Sequence, residues 1–170
     1  SLPQIPIIEH PDVKRMLLFQ RAVVEGSLSL ILRCCMYADL AHVGDADVAR
    51  RNALLLDLLT PVAKTYPSEM GILSVSHGLQ ILGGYGYCQE FPLEQYFRDI
   101  RIHTIHEGTT GIQGLDLLGR KVLGKEGQAV RLYLEELSAA MEQAGRYEAL
   151  KPYAERLQGA VEVVRKVTMF

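Results

Sequence analysis

Apolar residues recur at three- and four-residue spacing along most of this chain, which is the period of an amphipathic helix. The first such stretch begins at Pro11 and Asp12, a proline in the first turn followed by an acid, as helix N-termini favour. It predicts one long helix that ends where Gly44 and Asp45 interrupt the pattern. Asp47 is predicted to be the N-cap of the next helix.

The second helical stretch contains two prolines, Pro61 and Pro67, before its apolar pattern resumes and continues to Leu82. A proline inside a helix lacks one backbone hydrogen bond and clashes with the preceding turn. We therefore expect a kink or a break there, with Thr60 available to cap a separate helix. The pattern alone leaves open whether this stretch forms one bent helix or two.

A third helical pattern starts at Thr109 or Thr110, either of which is a suitable cap, and runs to Val122. Three glycines lie inside it: Gly111, Gly114 and Gly119. Each costs about 1 kcal/mol relative to alanine in a helix interior. We therefore expect another group to approach this backbone closely.

Two more helical patterns, over residues 128–144 and 147–167, are separated by Gly145, and no strand-like alternation is visible. The predicted fold is an all-α, antiparallel bundle of the four-helix type. We predict a linker over residues 1–9, which are rich in proline and isoleucine, and a helical bundle over residues 10–124. Residues 125–170 are predicted to be additional helices of an appended region that is truncated at its end.

Composition and charge are those of an ordinary soluble helical domain. Apolar residues make up 48% of the 170 residues and charged residues 22%. The net charge of −2 gives no electrostatic reason to expect nucleic acid or an anionic membrane. No apolar run approaches the ~18 residues of a membrane span, and the first residues do not resemble a signal peptide.

Three cysteines are present, and two of them, Cys34 and Cys35, are neighbours that cannot easily bridge each other in a helix. We predict reduced, buried thiols, and an intracellular location follows from that. Cys88 has no base adjacent in sequence, so it is predicted to be a small apolar residue rather than a nucleophile.

The longest interval without helical periodicity is Gln80–Gln113, called the central segment below. It holds a glycine cluster and, near its end, the sequence Glu107-Gly108-Thr109. A loop of this length in a compact domain is typical of a binding or active-site segment. The alternative is a helix–helix connection with a glycine C-cap.

Local pattern alone makes Glu107 a capping acid near a helix N-terminus. His103 and His106 precede it at helical spacing, which suggests a metal site. The glycine that follows and the lack of a nearby fourth ligand argue against zinc, and no metal is predicted.

The charged run Arg98-Asp99-Ile100-Arg101 lies in the middle of the central segment. Alternating charges so close together are typical of ion pairs that hold a loop, and an anion site is the alternative. We predict a structural ion-pair cluster.

The order of short motifs in the central segment is more specific than its composition. Gln-Ile-Leu-Gly-Gly, then Gly-Tyr, Arg-Asp-x-Arg-Ile, Ile-x-Glu-Gly-Thr and Ile-Gln occur in that order. This series closely resembles the C-terminal domain of the acyl-CoA dehydrogenase family, over residues 13–123.

The resemblance implies that Glu107 is the general base, which removes the proton α to a thioester carbonyl while the β hydride passes to flavin. The product is a trans-2-enoyl-CoA. The family also implies that the backbone N–H of Glu107 and a flavin ribityl hydroxyl bind the thioester oxygen, as the developing enolate charge requires. Gly108 then permits close approach of the substrate.

The resemblance further implies contacts to FAD, held mainly by a neighbouring subunit, from Gln80, Ile81, Leu82, Gly83, Gly84, Thr109 and Gly111. Many relatives carry Gln or Glu at Gly111, so that side-chain contact is lost here. Arg120 lies one position beyond an active-site arginine of many relatives, and no role is assigned to it.

Members of the family have an N-terminal helical domain and a middle β domain before this one, and the chain resembles an excised C-terminal domain. The residues after Gly124 resemble the longer subgroup that includes enzymes acting on methylthio-propionyl-CoA. The implied partners are an acyl-CoA, electron-transfer flavoprotein or oxygen as electron acceptor, and further copies in a homodimer or homotetramer. The implied location is the bacterial cytoplasm, or the mitochondrial matrix in a eukaryote.

The alternative function is a non-enzymatic assembly or DNA-associated protein of the alkylation-response branch.

Overall fold

A computed structural model describes residues 3–168, which contain α-helices and short 3-10 or π turns but no β-strand. The α-helices are α1 (Pro11–Val43), α2 (Ala46–Leu82), α3 (Leu93–Ile102), α4 (Thr110–Asp116), α5 (Gln128–Gly145) and α6 (Lys151–Thr168). The predicted all-α fold class is confirmed.

The N-cap of α2 is Asp45. Its Oδ1 accepts hydrogen bonds from the backbone N–H groups of Asp47, at 3.1 Å, and Val48, at 3.0 Å. The prediction that Asp47 is the cap is therefore wrong by two residues. Asp47 instead lies in the first turn, where a carboxylate faces the positive end of the helix dipole.

α2 continues through both of its prolines. Of the two alternatives that the pattern left open, the stretch forms one helix rather than two, and Thr60 lies in the helix interior rather than at a cap. The side chain of Pro61 is fully buried, so packing of its ring offsets the hydrogen bond that the proline lacks. The sequence pattern shows the missing N–H of Pro61 and Pro67 but not this compensation.

The chain forms two compact units. The first comprises residues up to Met36 together with Leu59–Leu115, and it contains all residues implied in the site. The second comprises Tyr37–Leu58 and the residues from Asp116 onward.

In the first unit, α1 and α2 run antiparallel. The Phe19 ring meets the His77 ring edge-on, with centroids 4.8 Å apart. Further along α1, a Cβ placed on Gly26 would lie 3.5 Å from the Tyr66 hydroxyl oxygen. Residue numbers therefore rise on one helix as they fall on the other, as in an antiparallel bundle.

α3 lies inside the central segment, so the prediction of one continuous loop there is wrong. Leu93, Phe97 and Ile100 share one half-buried face of α3. A Cβ on Gly71 would approach Ile100 Cδ1 to 3.0 Å, and one on Gly78 would approach Leu93 Cδ1 to 3.3 Å. Two glycines of α2 thus admit α3, whose half-buried face has only three apolar residues and does not stand out in the sequence.

The second unit has its own apolar core. Leu54 and Leu58 of α2 are buried together with Ala129 and Val130 of α5. Partly buried side chains that pack against them are Leu117, Val122, Leu132, Tyr133 and Leu134. Burying aliphatic side chains supplies most of the stability of such a contact.

A polar cluster lies beside this core. Tyr37 is 1% exposed, and its hydroxyl donates a hydrogen bond to the Glu136 carboxylate. Arg51 places Nη2 3.7 Å from the same carboxylate and Nη1 3.2 Å from that of Glu135. The buried phenol therefore has a charged acceptor, as a buried polar group requires.

The predicted helix from Thr109 or Thr110 to Val122 consists of α4 followed by a π turn over Leu117–Lys121. Thr109 is its cap, because its Oγ1 accepts a bond from the Ile112 N–H at 3.4 Å. No atom outside the helix backbone comes within 4 Å of a Cβ placed on Gly114 or Gly119, within the described part of the chain. No described residue therefore makes the close approach that was expected at Gly114 and Gly119.

The two C-terminal helical patterns are confirmed as α5 and α6. α6 starts later than predicted because Glu148–Leu150 forms a 3-10 turn. Lys125, Glu126 and Gly127 precede α5 with φ of 48°, 56° and 73°. Arg131 Nη1 donates to the Glu126 carbonyl and holds this left-handed turn. The domain boundary after Gly124 stays a prediction.

Little regular structure precedes α1. Ile7–Glu9 forms a single 3-10 turn within the predicted linker. Residues 1–2 of that linker, and Phe170, where a truncation was predicted, lie outside the described residues. No helix among residues 3–168 has the length and apolar content to cross a membrane.

The three cysteines are free, and they are less buried than predicted. Cys34 is half-buried, whereas Cys35 and Cys88 are exposed. Burial, and then the neighbouring Cys35, raise the pKa of the Cys34 thiol. The expectation of buried thiols is wrong for two of the three, because helical spacing turns Cys35 away from the face that buries Cys34.

Tyr37→Phe should lower the free energy of unfolding by about 1–2 kcal/mol, since it removes a hydrogen bond to a carboxylate and keeps the ring. Urea unfolding followed by circular dichroism measures this change. Tyr153→Phe is the matched control, because Tyr153 is 66% exposed. Equal unfolding midpoints for both variants would contradict the role given to Tyr37.

Cys34 should be alkylated by iodoacetamide more slowly than Cys88 at pH 8. Its raised pKa leaves a smaller fraction as the reactive thiolate, and its side chain is less accessible. Mass spectrometry of peptides from timed samples gives both rates. A Cys34 rate equal to or above that of Cys88 would show that this environment does not protect the thiol.

Candidate active site

Glu107 and Gly108 form a left-handed turn between α3 and α4. Glu107 has φ of 52° and Gly108 has φ of 92°. The left-handed region is uncommon for a residue with a side chain, and it persists where surrounding contacts hold it. The Glu107 side chain is exposed in this chain. The turn thus presents a carboxylate from a backbone that is itself under strain.

Both carbonyl oxygens of this turn accept side-chain hydrogen bonds. The Lys64 ammonium, from the interior of α2, donates to the Gly108 carbonyl oxygen. Gln113 Nε2, from α4, donates to the Glu107 carbonyl oxygen at 3.3 Å. A Cβ on Gly108 would lie 2.6 Å from Gln113 Nε2 and would displace that amide, and the φ of 92° itself favours glycine.

The residues on either side of the turn are also fixed. Thr104 is buried, and its carbonyl oxygen accepts a bond from the Thr110 N–H at 3.2 Å. The Thr104 hydroxyl contacts Arg101 Nη1. The Thr110 hydroxyl donates to the Glu69 carboxylate on α2. The loop from α3 to α4 is thus closed on itself and fastened to α2.

The residues implied in FAD contact at the end of α2 lie in a second place. Ile81 and Leu82 are half-buried, whereas Gln80, Gly83 and Gly84 are exposed. Nothing lies within 4 Å of a Cβ built on either glycine, and Gly83 has φ of 60°. This open backbone fits a flat cofactor group lying against it.

The predicted site residues lie on two stretches of the first unit. Glu107, Gly108, Thr109 and Gly111 share the turn and the start of α4. Within the described residues, no hydrogen bond or ion pair joins this turn to the glycine pair after α2. The site assignments stay predictions.

The predicted ion-pair cluster is not formed. Arg98 and Asp99 are exposed, and no ion pair involves either of them among the described residues. Neighbouring residues on a helix point in different directions, so α3 separates the two charges. Arg120 pairs with Asp116, with Nε to Oδ1 at 2.6 Å, outside the turn.

The two histidines before the turn contact each other. The rings of His103 and His106 have centroids 5.2 Å apart at 51°. Nδ1 of His106 lies 2.8 Å from the Ile102 carbonyl oxygen. No group of three or more His, Cys, Asp or Glu side chains is arranged to hold a metal ion within residues 3–168.

Sequence reasoning missed Lys64 and Glu69. They lie 44 and 41 positions before their partners in the turn, inside a helix whose pattern gave no functional signal. A contact of that kind depends on how α2 packs, which spacing along the chain does not encode.

Known proteins resemble this chain over the segment that builds the turn. The model of the family described as "Acyl-CoA dehydrogenase, C-terminal domain" matches residues 4–123. The 3-methylmercaptopropionyl-CoA dehydrogenase of Ruegeria pomeroyi is 42% identical over 135 residues, which are 79% of this chain and 23% of that protein.

Two further relatives agree. The broad-specificity linear acyl-CoA dehydrogenase FadE5 of Mycobacterium tuberculosis is 39% identical over 76% of this chain and 22% of its own. A butyryl-CoA dehydrogenase of Syntrophomonas wolfei is 36% identical over 80% of this chain and 22% of its own. The chain thus spans less than a quarter of the length of these relatives. It belongs to the acyl-CoA dehydrogenase family of oxidoreductases, and it carries that family's helical C-terminal domain.

Proposed function

We propose that this chain is the C-terminal part of a flavin-dependent acyl-CoA dehydrogenase, with Glu107 as the general base. The observation that carries the proposal is the strained turn at Glu107 and Gly108, held by contacts to both of its carbonyl oxygens. Such strain at a residue with an acidic side chain is typical of functional sites. Family membership supplies the class of reaction.

The carboxylate of Glu107 would take the α proton of an acyl-CoA thioester, and the β carbon would lose a hydride, leaving a trans-2,3 double bond. A carboxylate does this near neutral pH only where its basicity is raised by exclusion of water. Glu107 is exposed in this chain. The water-poor surroundings therefore have to come from other parts of the enzyme or from the bound substrate.

Removing the α proton places negative charge on the thioester oxygen, and a fixed N–H donor stabilises that charge. The backbone N–H of Glu107 is the donor proposed here, and its direction is set by the left-handed φ. Gly108 has no side chain to obstruct the thioester.

FAD is the proposed cofactor, and it supplies the hydride acceptor when bound. Gln80, Ile81, Leu82, Gly83, Gly84, Thr109 and Gly111 are the residues proposed to contact it. The open glycine backbone at Gly83 and Gly84 supports this assignment. An acyl-CoA substrate, electron-transfer flavoprotein as acceptor, a homo-oligomeric state and a cytoplasmic location are proposed on family membership.

The names of the relatives suggest the substrates to test first. They are butyryl-CoA, longer linear acyl-CoAs and 3-methylmercaptopropionyl-CoA. One of them should bleach the flavin absorbance of the full-length polypeptide under anaerobic conditions.

Glu107→Gln should keep flavin bound and slow the bleaching by roughly 10²–10⁴-fold, because the amide cannot accept the α proton. Equal bleaching in the variant would assign the base elsewhere. If the protein holds flavin but no acyl-CoA reduces it, the non-enzymatic alternative is favoured.

The 170-residue chain alone should show no acyl-CoA oxidation, because it provides only one side of the proposed flavin site. A dye-reduction assay with added FAD and the same acyl-CoAs tests this. Glu107→Gln in the same chain is the control for background reduction. Turnover by the wild-type chain above that background would overturn the expectation.

A further inference from the structure

The left-handed turn is fastened to α2 at two points. The Lys64 ammonium binds the Gly108 carbonyl oxygen, and the Glu69 carboxylate accepts the Thr110 hydroxyl. Both α2 residues are half-buried. The part of α2 that belongs to the first unit packs against α1 and α3. The two contacts therefore connect a strained loop to a helix that is itself held in place.

The Lys64 contact differs from the Gln113 contact in strength and reach, and the Glu69 contact, which is also charged and also from α2, holds Thr110 two residues further on. A hydrogen bond from an ammonium to a carbonyl is stronger than one between neutral groups. Gln113 Nε2 lies 3.3 Å from its acceptor and belongs to α4, which starts directly after the turn. A local contact of that kind moves together with the loop, whereas Lys64 fixes the loop against a separate helix.

We propose that Lys64 is a positioning residue, which clamps the Gly108 carbonyl oxygen and thereby holds the Glu107 carboxylate and N–H in their working directions. This inference rests on the proposed function for its catalytic consequence. The clamp itself is a property of the loop, and it is tested without flavin or substrate.

The physical reason is the cost of the left-handed backbone at Glu107. The Gly108 carbonyl belongs to the Gly108–Thr109 peptide, and one further peptide joins Gly108 to Glu107. Loss of the Lys64 hydrogen bond removes one restraint on this stretch, so the backbone angles of Gly108 and then of Glu107 can change and relieve the strain. A base and an N–H donor misplaced by a fraction of an ångström lose much of their effect.

A glutamate-specific protease tests the clamp directly. It would cleave the Glu107–Gly108 peptide bond, which lies within the turn and is cut only when the turn opens. The 170-residue chain is compared as wild type, Lys64→Met and Lys64→Arg. Lys14→Met is the matched control, since exposed Lys14 pairs only loosely with Glu9, at 3.4 Å. Cleavage after Glu25 in α1, which belongs to the same unit as the turn, is followed by mass spectrometry in the same samples and measures opening of that unit.

Lys64→Met should raise the rate of cleavage after Glu107 by about tenfold relative to the rate after Glu25, as loss of one charge-assisted hydrogen bond predicts. Lys64→Arg should stay near the wild-type rate, and so should Lys14→Met. An unchanged rate after Glu107 would overturn the clamp. So would an equal rise at every glutamate, because Lys64 would then stabilise the fold as a whole.

The catalytic consequence is tested in the full-length flavoprotein. Lys64→Met should lower kcat for acyl-CoA oxidation by about tenfold or more with little change in KM or flavin content, and Lys64→Arg should restore it. A rise in KM at unchanged kcat, or loss of flavin, would contradict a positioning role. If no acyl-CoA reduces the wild-type flavin, the proposed function fails while the proteolysis result still decides the clamp.

Discussion

The contact between the Lys64 ammonium and the Gly108 carbonyl oxygen is the constraint on which the candidate site depends. It acts across 44 residues of sequence and holds a turn in which a glutamate occupies the left-handed region. Neighbouring residues also help to hold the turn. Gly108 leaves room for the Gln113 amide, Thr109 caps α4, and two glycines of α2 admit α3, which leads into the turn.

Much of the fold was predictable from the sequence because long helices repeat their apolar pattern many times. α1, α2, α5 and α6 are of this kind. α3 was missed because it is short and its half-buried face has only three apolar residues, which are spaced among charged residues. The continuity of α2 could not be decided from the sequence, because the burial of Pro61 is a property of packing, which local propensity does not include.

Some residues of the candidate site could be predicted from the sequence, and others could not. Glu107 and Gly108 were identified from an ordered series of motifs, and the structure adds that their backbone is left-handed and fixed. Lys64 and Glu69 could not be found from sequence, since nothing near them along the chain distinguishes them from other charged helix residues. The predicted ion pair of Arg98 and Asp99 failed because adjacent side chains diverge on a helix. Long-range contacts, rather than motifs, complete the site.

In the proposed function, Glu107 removes the proton α to a thioester carbonyl. Exchange of that proton with solvent tests it without requiring the redox step. The full-length flavoprotein, bound to a CoA thioester in deuterated water, is followed by mass spectrometry for deuterium at the α carbon. We expect the wild type to incorporate deuterium and Glu107→Gln to do so roughly 10²–10⁴-fold more slowly. Equal incorporation by both proteins would show that another group is the base.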